Sequence, residues 1–209
     1  MIIVLDCGIG NTGSVVNMIR KIGVEAIASS DPLDLEKADK LILPGVGKFD
    51  HAMKQLQELD LIAPLHNLVL KSRKPILGIC LGIQLFTRKS EEGILPGLGW
   101  IDAQSVRFNF ADLGKDLKVP HMGWNSVTPS RNKEMFPQID NELRYYFVHS
   151  YHVVCNDEQD ILARTHYGYD FVSAIQKDNI WGVQFHPEKS HRYGMEFLRA
   201  FIERDNIVK

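Results

Sequence analysis

The chain has little cysteine, no long apolar run and almost no net charge, and each shortage narrows what it can be. Its three cysteines, at 7, 80 and 155, make neither a framework of pairs nor a CxxC zinc spacing. A reducing, cytoplasmic setting is the expectation. A formal charge of -2 gives no electrostatic footprint for nucleic acid or an anionic membrane. Nothing apolar approaches the length of a membrane span, and Met1 to Asp6 lacks the basic start and long apolar stretch of a signal peptide. Repeats, low-complexity segments and linkers are also missing. What is present, 209 residues with 44% hydrophobic and 24% charged content, suits one domain over 1–209 with a full core.

The first half alternates strand-like and helix-like runs. Ile2 to Leu5 reads as a strand, followed by a helix with Val15, Met18, Ile19 and Ile22 on one face, stopped at Gly23. Val24 to Ala28 and Leu41 to Leu43 read as the next strands. Asp50 is expected to cap a helix carrying Met53 and Leu56, and Leu61 to Leu70 continues helical before a strand from Ile76. This βαβα order predicts a doubly wound, mostly parallel α/β sheet, flavodoxin-like, with its site at the carboxyl ends of the strands. After about residue 97 the texture becomes short β-like pieces around Gly97, Gly99, Gly114 and Gly123. Tyr145 to Val148, Tyr151 to Val154 and Ile180 to Phe185 are the clearest. They predict an antiparallel extension and the last strands of the sheet, before a closing helix with Met195, Leu198, Phe201 and Ile202 on one side.

The most informative run is Gly78-Ile79-Cys80-Leu81-Gly82, a cysteine between two glycines where a short apolar strand turns into a helix. The glycines let neighbouring backbone approach while Cys80 takes a tight turn. The helix start directs free N–H groups at the sulfur, favouring thiolate and offering donors to an oxyanion. Alone, this cysteine is compatible with an esterase-like hydrolase, a redox thiol or a small buried hydrophobe.

The second signal is Gln184-Phe185-His186-Pro187-Glu188. Residues two apart in an extended segment share a face, so His186 and Glu188 reach the same space as Pro187 ends the strand. A cysteine nucleophile needs a base to take and return its proton, and the base needs an acceptor to fix its tautomer. Together these segments make Cys80, His186 and Glu188 a candidate catalytic set.

GICLGIQL, GVQFHPEKS and the upstream LPGVG resemble class I, triad-type glutamine amidotransferases. DCGIGN, LPGVGKFD, EEGILPGLGW, KVPHMGWNSV, YYFVHSYHV and QFHPEKS also follow the order seen in one branch, the glutaminase subunits of imidazole glycerol phosphate synthases. Cys7 stands where that branch commonly has tyrosine. The resemblance implies attack of Cys80 on the side-chain amide of glutamine, a γ-glutamyl thioester, release of ammonia and hydrolysis to glutamate. His186 would shuttle protons, oriented by Glu188, while the N–H groups of Leu81 and Val46 bind the oxyanion. Gly47, Gln84, Ser150 and Tyr151 match the substrate-binding positions, and the Pro44 to Gly47 loop can rearrange in related enzymes. No cofactor or metal is implied. The partner implied is a (β/α)8-barrel cyclase in a heterodimer that channels ammonia into imidazole formation, with Asn11, Trp124, Asn125 and Lys189 as interface candidates. Core packing is an equal use for the Trp124 ring.

Other patterns point elsewhere. Gly8-Ile9-Gly10-Asn11-Thr12-Gly13 fits a dinucleotide fingerprint with Asp31 at the ribose distance, but no second mononucleotide half follows. His149, His152 and Cys155 suggest a metal set, yet on one strand the odd spacing sends the histidines to opposite faces, and His149 to Cys155 spans about 20 Å. His51, His66, His121, His166 and His191 have no partner pattern. Two other uses of the same architecture are a self-standing γ-glutamyl hydrolase and a glutaminase feeding amidine formation in bacterial surface-sugar synthesis. A silent interaction module fits poorly with an intact cysteine, histidine and glutamate.

Overall fold

The computed structural model describes residues 1–111, 117–136 and 142–204; Gly114 lies outside them. Its strands are β1 (Ile2–Leu5), β2 (Ala26–Ser29), β3 (Lys40–Gly45), β4 (Ile76–Cys80), β5 (Lys89–Ser90), β6 (Ala103–Arg107), β7 (His121–Ser126), β8 (Thr128–Pro129), β9 (Arg144–His149), β10 (Tyr151–Cys155), β11 (Ile161–Tyr167), β12 (Tyr169–Lys177) and β13 (Ile180–Val183). The helices are α1 (Thr12–Ile22), α2 (Pro32–Lys37), α3 (Phe49–Glu58), α4 (Ile62–His66), α5 (Leu81–Leu85) and α6 (His191–Glu203).

The main sheet runs β2-β1-β3-β4-β13-β12-β10-β6-β5. Its first five strands are parallel. From β13 the pairing turns antiparallel through β12, β10 and β6, which is the predicted extension. In the parallel part successive residues enter opposite layers, so Ile3, Leu41 and Ile76 pack with α3 and α4, while Ile2, Ile42 and Leu77 pack with α1 and α6. Both faces are covered, which is why these strands read as continuous apolar runs. Each fully buried Leu or Phe here contributes roughly 1.5–3 kcal/mol. Lys40 ties the last helix to this core: its buried Nζ donates to the carbonyls of Phe201, at 2.8 Å, and Arg204.

Several boundaries differ from the sequence reading. β2 starts at Ala26 instead of Val24, and Ile180's strand ends at Val183 rather than Phe185. Asp50 is not a helix cap. α3 already begins at Phe49, and the Asp50 carboxylate instead accepts the N–H groups of Ile94 and Leu95 at 3.1 and 3.0 Å. The Leu61–Leu70 helix is split, with α4 passing into a wider π-helical turn at Asn67–Lys71. The β11–β12 hairpin was not foreseen, and Tyr145 to Val148 lies in β9, which pairs with β7 as a separate two-stranded sheet.

Candidate active site

β4 ends at Cys80 and α5 begins with the next residue, leaving Cys80 at φ 54° and ψ -106°. A non-glycine residue holds such a conformation only where its surroundings impose it. Here the glycines do so by close approach. A Cβ on Gly82 would lie 2.0 Å from the Leu43 carbonyl oxygen, and one on Gly78 would lie 2.7 Å from the backbone of Gly82 and Ile83. Cys80 as a whole is 6% exposed. Its sulfur lies 3.8 Å from the Val148 carbonyl, which accepts from it, and 3.7 Å from Gln184 Nε2, which donates to it.

His186 and Glu188 leave the end of β13 beside this elbow. His186 Nδ1–H donates to Glu188 Oε1 at 2.7 Å, and the two side chains are only 1% and 5% exposed. Glu188 does not share a face with His186 along an extended strand, as the spacing suggested. Pro187 starts a 3-10 turn that curls the carboxylate back onto the ring. Ser190 braces the turn: its hydroxyl donates to the His186 carbonyl at 2.6 Å and accepts the Tyr146 N–H at 2.9 Å. His186 Nε2 is buried without a hydrogen-bond partner, so the thiol falls short of a hydrogen bond while lying within electrostatic reach. Burial disfavours the charged ring, but Cys80 and Glu188 outweigh it and raise His186 to about 10. The other thiols are held inert, since burial first, and then Asp6 or Asp160, pushes Cys7 and Cys155 up to about 12.

A pocket of about 300 Å³ opens on Cys80. Val46, Gly47, Leu81, Gln84, Ser150 and Tyr151, all predicted for the site, line it. Leu81, as first helical residue, has an N–H outside the helix's own ladder. Val46 differs from expectation. Its N–H is engaged by the Ile9 carbonyl at 2.5 Å, so in this conformation it is not offered to an oxyanion, while its side chain is 47% exposed. Gly47, at φ 102°, takes the backbone through a region that disfavours any side chain.

Glu92 and His149 also line the pocket and were missed. Glu92 Oε2 accepts the Phe49 N–H at 2.9 Å, completing a reciprocal clamp with Asp50 between the start of α3 and the 92–95 loop. Its signal was the acidic pair before Gly93 at the start of the EEGILPGLGW run. His149 belongs to a buried chain whose polarity follows from the Tyr151 carbonyl, which can only accept. His149 Nδ1–H therefore donates to it at 2.8 Å, His121 Nδ1–H donates to His149 Nε2 at 3.0 Å, and Asn125 Nδ2–H donates to His121 Nε2 at 3.2 Å.

The histidines do not sit on opposite faces of one strand. His149 ends β9 and His152 lies in β10, and both rings pack on Phe108, at 5.2 and 4.7 Å between centroids. His121, which had no pattern in the sequence, is paired through the β7–β9 register. The glycine fingerprint has a local explanation. A Cβ at Gly10 would lie 2.9 Å from the Pro44 carbonyl, so this glycine lets its loop pack on β3, and the Asp31 carboxylate caps α2 by accepting the Leu33 N–H at 2.9 Å.

A thiol at a strained strand-to-helix turn, a buried histidine–carboxylate pair and an adjoining pocket form the arrangement used for acyl transfer to cysteine. The family model for glutamine amidotransferase class-I matches residues 3–204. The chain belongs to the class I glutamine amidotransferases. The amidotransferase is 51% identical over 204 residues to imidazole glycerol phosphate synthase subunit HisH 2 of Methanococcus maripaludis, covering 98% of this chain and 100% of that one. It is 49% identical over 203 residues to the protein of the same name from Pseudomonas aeruginosa, covering 97% and 99%. Among solved structures it shares its fold with a glutamine amidotransferase at TM-score 0.73 and 19% identity, over 96% and 97% of the two chains. Another, from Thermotoga maritima, matches at TM-score 0.61 and 19% identity, over 96% of this chain and 81% of that one.

On the amidotransferase surface, Trp124 is 38% exposed and stacks on His191 at 5.6 Å, and it opposes Tyr146 across the β7–β9 pair. Lys189 Nζ lies 5.8 Å over the Tyr146 ring. Met122, two residues from Trp124 and therefore on the same strand face, is 62% exposed. Asn11 is exposed but its side chain caps α1 through the Ser14 N–H at 3.1 Å. Asn125 points its amide inward, to His121 and, at 2.9 Å, to the His166 carbonyl. Among the described residues no helix is long and apolar enough to cross a membrane.

Proposed function

We propose that this amidotransferase is the glutaminase subunit of an imidazole glycerol phosphate synthase, hydrolysing glutamine and delivering ammonia to a barrel cyclase partner. The observation that carries the reaction is the Cys80 elbow in the wall of a pocket of about 300 Å³, beside the buried His186–Glu188 pair whose side chains are 2.7 Å apart. The pathway assignment is supported by the full-length identity to the named subunits.

His186 Nε2 takes the thiol proton, and the sulfur attacks the side-chain carbonyl carbon of glutamine. The oxyanion meets the Leu81 N–H. The imidazolium returns its proton to the leaving nitrogen, ammonia departs, and a thioester remains. Water, deprotonated by the same ring, then releases glutamate and restores the thiol. Gln84, Ser150 and Tyr151 hold the substrate's amino-acid end, and the Glu92 carboxylate suits its α-ammonium. A second oxyanion donor requires rotation of the peptide that now gives the Val46 N–H to Ile9. That arrangement supports low activity alone and acceleration when a partner seats against the exposed Val46, with Trp124 and Lys189 in the contact. Asn11 and Asn125 act there through the segments they brace.

The test is glutamate release by the purified chain, alone and with the barrel subunit and its ribotide substrate. We expect about a 100-fold or greater rise in the complex, the range one oxyanion donor commands, and loss of turnover in Cys80→Ala. Full activity without a partner would point to a self-standing hydrolase. One observation favours a second destination for the ammonia: several similar relatives carry numbered names, HisH 1 or HisH 2. Numbered copies leave one subunit available to another synthase, such as one forming surface-sugar amidines. Rescue of a histidine auxotroph that lacks its own subunit separates the two.

A further inference from the structure

We infer that Gln184 is a further catalytic residue, whose side-chain amide donates a hydrogen bond to Cys80 Sγ and stabilises the thiolate before attack. The inference rests on Cys80 being the nucleophile proposed above. Gln184 is fully buried where the chain leaves β13, and its backbone N–H is pinned to the Ser173 carbonyl at 2.9 Å.

The orientation of its amide follows from an acceptor that cannot change roles. The Tyr151 carbonyl only accepts, so the group facing it at 3.0 Å is the Gln84 NH2. That same NH2 lies 3.1 Å from Gln184, which must therefore present its oxygen there. The Gln184 NH2 is left facing the sulfur at 3.7 Å. Reversing the Gln184 amide would set two NH2 groups against each other and a carbonyl oxygen against the sulfur.

The contacts of the sulfur distinguish its two states. As a thiol it donates to the Val148 carbonyl and accepts from Gln184. When the S–H bond breaks and the proton passes to His186 Nε2, the electron pair stays on sulfur and the donation to Val148 is lost. The Gln184 bond then becomes one to an anion, and such bonds are roughly twice as strong as neutral ones. Gln184 thus favours the ionised state while remaining protonated itself. The titratable groups facing this site are His186 with Glu188 behind it, and across the pocket His149, Glu92 and Tyr151.

The competing role is structural, with Gln184 only holding Gln84 in place. Iodoacetamide labelling of Cys80 against pH, read on the Cys80 peptide by mass spectrometry, separates the two and needs neither glutamine nor partner. In Gln184→Met, which keeps the length but removes the donor, the labelling midpoint should rise by about one pH unit, a tenfold loss of thiolate. In Gln184→Glu, nearly the same shape with a carboxylate beside the sulfur, it should rise further. In the complex with the barrel subunit, kcat should fall about tenfold in Gln184→Met with KM for glutamine within about twofold. An unmoved midpoint in Gln184→Met, or a loss confined to KM, overturns the assignment; if Gln184→Met does not fold, Gln184→Leu, which also lacks the donor and adds no charge, takes its place. Cys80→Ala tests the underlying reading separately: glutamine turnover surviving it rejects the nucleophile, whereas an inactive Cys80→Ala with an unmoved midpoint rejects only Gln184.

Discussion

His149 in the pocket wall and His121 beside it are buried with facing ring nitrogens 3.0 Å apart, each fixed as one neutral tautomer. Burial lowers His121 to about 4 and also takes His149 well below its usual range. In an unfolded chain both titrate near about 6.5, so between that pH and about 4 the unfolded state binds more protons and stability falls as pH falls. For His121 alone the loss across that window is on the order of 3 kcal/mol. His186 acts in the opposite direction. Raised to about 10, it contributes fully below about 6.5 and loses that contribution as pH climbs through 10. Urea unfolding should therefore show greatest stability near neutrality, with a shallower acid limb in His121→Gln; parallel acid limbs for the two proteins would show that another group titrates. Cys80, His186 and Glu188 were readable because rare side chains sat in short motifs whose backbone demands are local. Glu92 and His149 were not, since each acquires its place from a partner far away in the chain, at Phe49 and at His121.

The clamp between the start of α3 and the 92–95 loop is a property of two elements. Asp50 accepts the N–H groups of Ile94 and Leu95, Glu92 accepts that of Phe49, and Glu92 lines the pocket. Asp50→Ala should loosen the loop without touching the sulfur, raising KM for glutamine about five- to tenfold while kcat stays within about twofold. Steady-state kinetics in the complex measures this, and an equal fall in kcat would contradict a role limited to the loop. The parallel strands were legible because both of their faces are buried, giving apolar runs such as Ile76 to Ile79. The β11–β12 hairpin was obscured by mixed polarity, and Asp50 resembled a helix cap because a first-turn carboxylate has the same sequence signature whichever N–H groups it accepts.

At the scale of the molecule, the exposed Trp124 and Met122 on the small β7–β9 sheet, the half-buried Tyr146 beside them and the exposed Lys189 over its ring form an aromatic and basic patch. If the barrel partner seats there, Trp124→Ala should weaken the complex about 10- to 100-fold by calorimetric titration, while leaving the thermal stability of the free chain little changed. Affinity equal to the parent would move the interface elsewhere. The order of strands was only half legible: the β2-β1-β3-β4 run followed from βαβα alternation, but nothing local placed residues 180–183 in the centre of the sheet. That placement governs timing. β4 gains its second neighbour only when β13 is made, and Lys40 meets its acceptors at Phe201 and Arg204 later still. During synthesis Cys80 therefore emerges long before His186, and the growing chain carries an open sheet edge from the completion of β4 at Cys80 until β13 begins at Ile180. A ribosome-bound chain stopped before residue 180 should bind a chaperone readily and remain unable to cleave glutamine, so the thiol gains its catalytic neighbours only after more than a hundred further residues have been added.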